Sequence, residues 1–167
     1  MPGLYRRPSS TRKASESWPD DRAVDFGGHG PFSLILDSSQ MDVLNRDDAV
    51  PFTTVDGSTI REIMAHRNSA VRNQSLAEAR LSPGQATTPH HHAITEEIYY
   101  ILTGVAEMTL ADETRLVGPG DAIAIPPGSQ HTIRNTGKED LVFLCCCAPG
   151  YEHPDTFLEN PSPPATA

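Results

Sequence analysis

The run Gly84-Gln85-Ala86-Thr87-Thr88-Pro89-His90-His91-His92-Ala93-Ile94-Thr95-Glu96-Glu97, with Gly104 closing it, decides the reading of this chain. A second run follows, Gly120-Asp121-Ala122-Ile123-Ala124-Ile125-Pro126-Pro127-Gly128-Ser129-Gln130-His131-Thr132-Ile133-Arg134-Asn135. Imidazole nitrogens and carboxylates are the usual ligands of a divalent first-row metal. Side chains on an extended strand alternate between its faces, so His90 and His92 share one side and can reach one ion together. His91, between them, then points the other way, unless a bulge breaks the parity.

Outward from these runs the chain reads as many short strands. Residues 97–102, 105–110, 114–117, 121–125, 132–134 and 141–147 are apolar or β-rich and are separated by turn signals. Residues 51–55 and 58–64 flank Asp56-Gly57, a strong tight-turn signal, and read as a hairpin. Residues 74–81 form a further strand with two faces: Gln74, Leu76, Glu78 and Arg80 on one, Ser75, Ala77, Ala79 and Leu81 on the other. The second set suits a packed interface. If the first faces a lumen instead, Gln74 and Glu78 become ligand contacts. Turn signals roughly every ten residues, without a long amphipathic helical period, indicate an all-β sandwich or barrel.

The two runs also resemble the paired motifs of the cupin superfamily. The first is similar to Gly-x5-His-x-His-x4-Glu-x6-Gly at Gly84, His90, His92, Glu97 and Gly104, and the second to Gly-x5-Pro-x-Gly-x2-His-x3-Asn at Gly120, Pro126, Gly128, His131 and Asn135. The resemblance covers roughly the middle third of the chain, with every fixed position present. It implies a small single-domain cupin, a double-stranded β-helix or jelly-roll barrel, with His90, His92, Glu97 and His131 as a metal site inside it. The motif's spacing to Gly104 favours Glu97 over Glu96 as the carboxylate, and Glu96 should face outward. Gly84, Gly104 and Gly120 fall at turns open to positive φ, and Pro126-Pro127-Gly128 stiffens the turn that delivers His131. Asn135 is expected to satisfy turn backbone groups.

Strand parity with Glu97 places Tyr99 and Ile101 along a pocket. Ile123 and Ile125 from the second run and Phe143 from the last strand are further lining candidates, with plain core as the alternative for all five. Arg61 is a candidate carboxylate anchor, with a solvated edge as its alternative. Tyr99 and Glu96 are weak candidates for an acid or base. A lumen walled by Ile, Tyr and Phe favours a small, partly apolar ligand. His29, His66 and His153 have no partner at ligand spacing.

At 167 residues the chain is long enough for one core without a staple. Residues 1–30 lack hydrophobic period and read as a flexible arm, residues 31–158 as the barrel domain, and residues 159–167 as a short proline-rich disordered tail. Residues 32–36 read as a short strand packing on the barrel. The net charge of −9 argues against a nucleic-acid partner. No apolar run approaches the ~18–20 residues of a membrane span, and the first 17 residues lack the apolar segment of a secretory signal, so a cytoplasmic protein is expected. The only cysteines are Cys145-Cys146-Cys147. Adjacent cysteines on a strand point to opposite faces and rarely bridge, which fits a reducing compartment. Buried packing is their expected role, with a thiol close to the metal as the alternative.

Three histidines and a carboxylate leave two positions free on a six-coordinate ion. The expected protein is therefore a metal-dependent cupin acting on a small oxygenated metabolite, using one divalent Fe, Mn, Ni, Cu or Zn. Dioxygenase-like oxidation is slightly favoured over isomerase, lyase or decarboxylase chemistry. The alternative is a non-catalytic barrel in which the metal anchors a small molecule. A sugar-phosphate isomerase would want a cationic cradle, for which Arg61, Arg80 and Arg134 are the candidates. A strand over residues 141–147 that is apolar on both faces reads as covered twice, and a homodimer is expected.

Overall fold

The structure is a computed structural model that describes residues 41–159. The arm expected over residues 1–30, the strand expected over residues 32–36 and residues 160–167 lie outside the described residues. In chain order the strands are β1 (Phe52–Thr53), β2 (Thr59–Met64), β3 (Ser75–Leu81), β4 (His90–His92), β5 (Glu96–Thr103), β6 (Ala106–Leu110), β7 (Glu113–Val117), β8 (Ala122–Ile125), β9 (His131–Asn135), β10 (Leu141–Ala148) and β11 (Thr156–Leu158). Helical structure among the described residues is limited to two 3-10 turns, Arg46–Asp48 and His153–Asp155.

The strands form two antiparallel sheets, ordered β1-β2-β3-β10-β5-β8 and β11-β4-β9-β6-β7. From β3 to β11 the chain passes from one sheet to the other at each connection, except within the β6–β7 hairpin. That alternation is the double-stranded β-helix. It gives each sheet one inner face, and strict period-two patterning assigns the residues. Along β5, Glu97, Tyr99 and Ile101 are buried, whereas Ile98, Tyr100 and Leu102 are exposed. The inner faces meet in a core that includes Ile60, Ala79, Leu81, Tyr99, Ile101, Met108, Ile125, Ile133, Leu141 and Phe143.

The hairpin around Asp56-Gly57 forms, with Gly57 at φ +89°. Its first strand is shorter than the sequence suggests. Thr54 leaves the ladder and joins Asp56 and Ser58 in a buried side-chain cluster, in which Ser58 donates its backbone N–H to Asp56 Oδ1 at 3.0 Å. β3 turns Ser75, Ala77, Ala79 and Leu81 inward, the set suited to a packed interface. Glu78 is buried on the opposite face, where Arg46 meets it at 3.0 Å.

Gly104, between β5 and β6, is the glycine whose replacement the fold tolerates least. It sits at φ +83°, and a Cβ there would lie 2.9 Å from Leu141 Cα and 3.0 Å from the Asp140 carbonyl. Left-handed backbone and contact with main chain together require a residue without a side chain.

Candidate metal centre

β4 and β9 pair so that His90 stands directly opposite His131. His92, two residues along β4, shares the face of His90, as strand parity demands. Residues 93–95 then carry the chain to the other sheet, where Glu97 enters on the inner face of β5. Two contacts fix this crossing. Gly128 donates its N–H to the His92 carbonyl at 2.6 Å, tying the Pro126-Pro127-Gly128 turn to the first run. Asp155 accepts the N–H groups of Ala93, Ile94 and Thr95 at 3.0, 3.1 and 3.0 Å.

The result is a convergence of ligand atoms. One nitrogen from each of His90, His92 and His131 falls within 4.8 Å of the others, and all three residues are buried. Glu97 Oε2 faces His92 Nε2 at 3.4 Å and His131 Nε2 at 3.5 Å. Nδ1 of His90 lies 2.7 Å from the Thr88 carbonyl, that of His131 lies 3.0 Å from the Ser129 carbonyl, and that of His92 lies 3.3 Å from the Asp155 carbonyl. A carbonyl only accepts, so each Nδ1 carries a proton; in the neutral ring this leaves the Nε2 lone pair facing the centre, and in a protonated His92 or His131 ring Nε2–H faces Glu97.

Among the described residues, two buried side-chain atoms have no hydrogen-bond partner, Glu97 Oε2 and His131 Nε2. Buried polar atoms are rarely left so, since an orphan costs about 1–3 kcal/mol. Both orphans point into the same space, next to two further imidazoles. This donor set, nitrogen-rich with one carboxylate oxygen, fits a divalent transition metal, and a cation bound there would satisfy both.

The electrostatics follow from burial and from these facing groups. Burial pushes the Glu97 carboxyl up, but the imidazoles of His131 and His92 outweigh that and hold it at about 2. Burial lowers His92, yet Glu97 overrides it and the net shift is upward. His90 is lowered by burial and by the imidazole of His131 alongside. Burial, then the Glu97 charge, raises the Tyr99 phenol well above its ordinary value, which keeps it a neutral donor and disfavours it as a base.

The centre opens into a cavity of ≈ 40 Å³. One water needs about 10–15 Å³ on the same measure, so a ligand of a few heavy atoms fits before anything moves. Of the lining candidates from the sequence, Tyr99 and Phe143 border the cavity beside His90, His92 and Glu97. Ile101 and Ile125 are core, and Ile123 packs against that core. Arg61 does not line the cavity, because Ile60 and Glu62 take the inward parity of β2 and Arg61 reaches back to the Ala49 carbonyl. Gln74 is exposed and outside the lining, for the matching reason on β3. Glu96 is exposed on the outer face. Arg80 pairs with Asp140 and Arg134 is exposed, so none of the three arginines weighed for a phosphate cradle borders the cavity. His91 turns outward, stacks on Phe157 and meets Glu159 at 2.7 Å.

Several lining residues escape a reading based on motif spacing. Glu62, Ser75, Tyr151 and Cys147 border the cavity from β2, β3, the segment after β10, and β10 itself. Burial raises Glu62 despite the opposing charge of Arg67. Tyr151 packs edge-on to His92 at 6.0 Å and pairs through its hydroxyl with His153 Nδ1 at 3.2 Å. Only strand parity could have flagged Glu62 and Ser75, and nothing local marks Tyr151. Of the cysteines, Cys145 and Cys147 border the cavity and Cys146 does not.

The cupin domain family matches residues 77–147, the span that carries all four converging side chains. The chain belongs to the cupin superfamily. It is 46% identical over 112 residues to an uncharacterized protein of Methanocaldococcus jannaschii, covering 67% of this chain and 90% of that one. It is 36% identical over 85 residues to the oxalate-binding protein of Thermotoga maritima, covering 48% of this chain and 70% of that protein. Among solved structures, the polyketide cyclase RemF from Streptomyces resistomycificus matches with a TM-score of 0.61 and 27% identity, over 74% of this chain and 88% of that one.

Proposed function

We propose that this protein is a metal-dependent cupin enzyme acting on a small oxygenated metabolite, with His90, His92, Glu97 and His131 as the metal ligands. The observation that carries the reading is the pair of buried, unpartnered atoms, Glu97 Oε2 and His131 Nε2, aimed at the same space as two further imidazoles. A divalent Fe, Mn, Ni, Cu or Zn would supply Lewis acidity toward a bound ligand oxygen and, if redox-active, access to O₂. Oxidation of the dioxygenase kind is slightly favoured over decarboxylation, isomerisation or lyase chemistry.

The chain's own groups divide the remaining work. Tyr151 offers a hydroxyl to the oxygens of a ligand, Thr54 and Ser58 turn theirs to Asp56, and Phe143 and Tyr99 wall the ligand on the apolar side. Glu62, raised by burial, holds a proton nearer neutrality than an exposed glutamate and is the acid–base candidate at the cavity. The narrow cavity limits the water that reaches the centre.

A second reading, a non-catalytic barrel that binds a small dicarboxylate, draws support from the likeness to the oxalate-binding protein of Thermotoga maritima. The first experiment is elemental analysis of untagged protein with His92→Ala as control. About one equivalent of metal, lost in the variant, supports the centre; no metal, and none taken up on titration, sinks it. Turnover of O₂ or CO₂ release from oxalate by the loaded protein then favours the enzyme. Saturable oxalate binding without turnover favours the binder.

The same proposal takes the protein as a homodimer. Ile98, Tyr100 and Leu102 lie exposed in a row on the outer face of β5, which supports pairing through that sheet.

A further inference from the structure

Cys147, Ser75 and Glu97 stand in one row across three strands. In the antiparallel register Cys147 of β10 is directly opposite Ser75 of β3 on one side and Glu97 of β5 on the other. The Cys147 thiol donates to Glu97 Oε1, with Sγ and oxygen 3.4 Å apart and both residues buried. Ser75 Oγ accepts the backbone N–H of Tyr151 at 2.9 Å, which fixes the serine side chain beside Cys147 in the β3–β10 pair.

The Tyr151 amide can only donate, so the Ser75 oxygen accepts there. The Glu97 carboxylate can only accept, so the thiol proton points at Oε1. The two carboxylate oxygens are therefore unlike. Oε1 is taken, while Oε2 is left without a partner and faces Nε2 of both His92 and His131.

We propose that Cys147, flanked by Ser75, is a positioning residue for the metal centre: its thiol hydrogen bond locks the Glu97 carboxylate so that Oε2 alone is presented to the ion. A thiol is a weak donor, so it fixes the carboxylate's rotation while leaving most of the negative charge on the ligating oxygen. A stronger donor would draw more of that charge toward Oε1. The inference rests on the metal-centre reading.

The test is Co(II) affinity, by competition with a chromophoric chelator, together with the visible Co(II) spectrum and the melting temperature of the metal-free protein. Loss of an outer hydrogen-bond partner typically weakens metal binding about 10–100-fold. Cys147→Ala is expected to fall in that range with an altered Co(II) spectrum. Cys147→Ser, which restores a donor, should return to within about 3-fold of wild type, since a hydroxyl replaces the lost hydrogen bond. Wild-type affinity and spectrum in Cys147→Ala would overturn the inference. So would equal loss in both variants, because the loss would then follow side-chain volume and not the donor. If Cys147→Ala does not fold, Cys147→Val serves: it fills the site without a donor and should weaken Co(II) by a similar factor, and unchanged affinity there overturns the inference. Failure of wild type to bind Co(II), or any metal in the elemental analysis, sinks the centre itself and is read separately from the variants.

Discussion

His131 joins the two sequence runs, standing across from His90 with ring centroids 4.2 Å apart and almost fully buried. Its Nε2 is one of the two orphaned atoms, so it contributes nothing to the protein's internal hydrogen bonding on that side. His131→Ala should therefore abolish metal retention, a larger loss than the about 10–100-fold that follows removal of an outer partner. Equilibrium dialysis against Co(II) or Zn(II) checks this, and retained stoichiometric binding would remove His131 from the ligand set. Glu97 gives a pH signature in the metal-free protein. Its folded value is depressed to about 2, so its contribution is complete above the unfolded value of about 4.3 and is lost as pH falls through about 2. His92 is raised, so its contribution is complete below about 6.5 and is lost as pH rises through its folded value. Glu97→Gln removes both. The stability gap between wild type and Glu97→Gln in urea melts should be widest between about pH 4.5 and 6.5 and shrink on either side. A gap that does not change with pH would show that the carboxylate charge is not coupled to the histidines.

At the scale of elements, the crossing from β4 to β5 is the piece on which the site depends, and it is held from far along the chain. Asp155 collects three backbone N–H groups from residues 93–95, and its own carbonyl receives His92 Nδ1. Asp155→Ala leaves three donors without their acceptor and should cost about 1.5–3 kcal/mol, the range for hydrogen bonds to a charged group. Chemical denaturation checks the magnitude, and metal affinity should fall with it because the crossing at residues 93–95, between His92 and Glu97, loses its anchor. Gly104→Ala should cost more than about 2 kcal/mol, since left-handed backbone and main-chain contact add. Gly57→Ala, at a similar φ but with open space around it, should cost only about 1–2 kcal/mol. Equal losses in the two variants would refute the close-approach argument. These elements also show what the sequence made legible. His90, His92, Glu97 and His131 could be picked out because each run is local and its spacing matches a motif, and the face of Tyr99 followed from parity with Glu97. Arg61 and Gln74 stay open as lining candidates in the sequence, with a solvated edge and an outer face as their alternatives, because a strand's pattern shows two faces without proving which one is inner. On β2 the inward set turned out to hold Glu62, a charged residue that hydrophobicity would send outward. Asp155, Tyr151 and the Ser75–Cys147–Glu97 row were invisible for another reason. Each depends on pairing between residues 50 to 76 positions apart, and register over such distances is set by the closed fold, not by any local pattern.

For the whole molecule, the outer face of the six-stranded sheet raises the question of assembly. Ile98, Tyr100 and Leu102 are 47%, 41% and 38% exposed. Their cross-strand neighbours continue the strip: Cys146 and Ala124 flank Ile98, and Leu144 and Ala122 flank Tyr100. Three adjacent strands thus show a contiguous apolar band that no other described segment covers. Monomeric proteins seldom expose apolar patches larger than a few hundred Å². A flat band of this kind suits a second copy of itself, because a two-fold interface brings the same patch onto both partners. The centre lies on the inner side of the same strand, with Glu97 and Tyr99 alternating with Ile98 and Tyr100. Covering the band would therefore stiffen the strand that carries Glu97, the proposed carboxylate ligand. Light scattering coupled to size exclusion should give roughly twice the chain mass of 18.1 kDa. Tyr100→Glu, which places a charge at the middle of the band, should shift the protein to monomer, since a buried charge without a partner costs several kcal/mol. Leu116→Glu is the control. Leu116 is 78% exposed on β7 of the other sheet, and adding a charge there should leave the assembly unchanged. Monomer mass for wild type across a hundred-fold concentration range, or a dimer that survives Tyr100→Glu but not Leu116→Glu, would show that this sheet face is not the interface. If Tyr100→Glu gives a monomer that still binds Co(II) with reduced affinity, then the pairing of two chains and the alignment of Glu97 are coupled through β5.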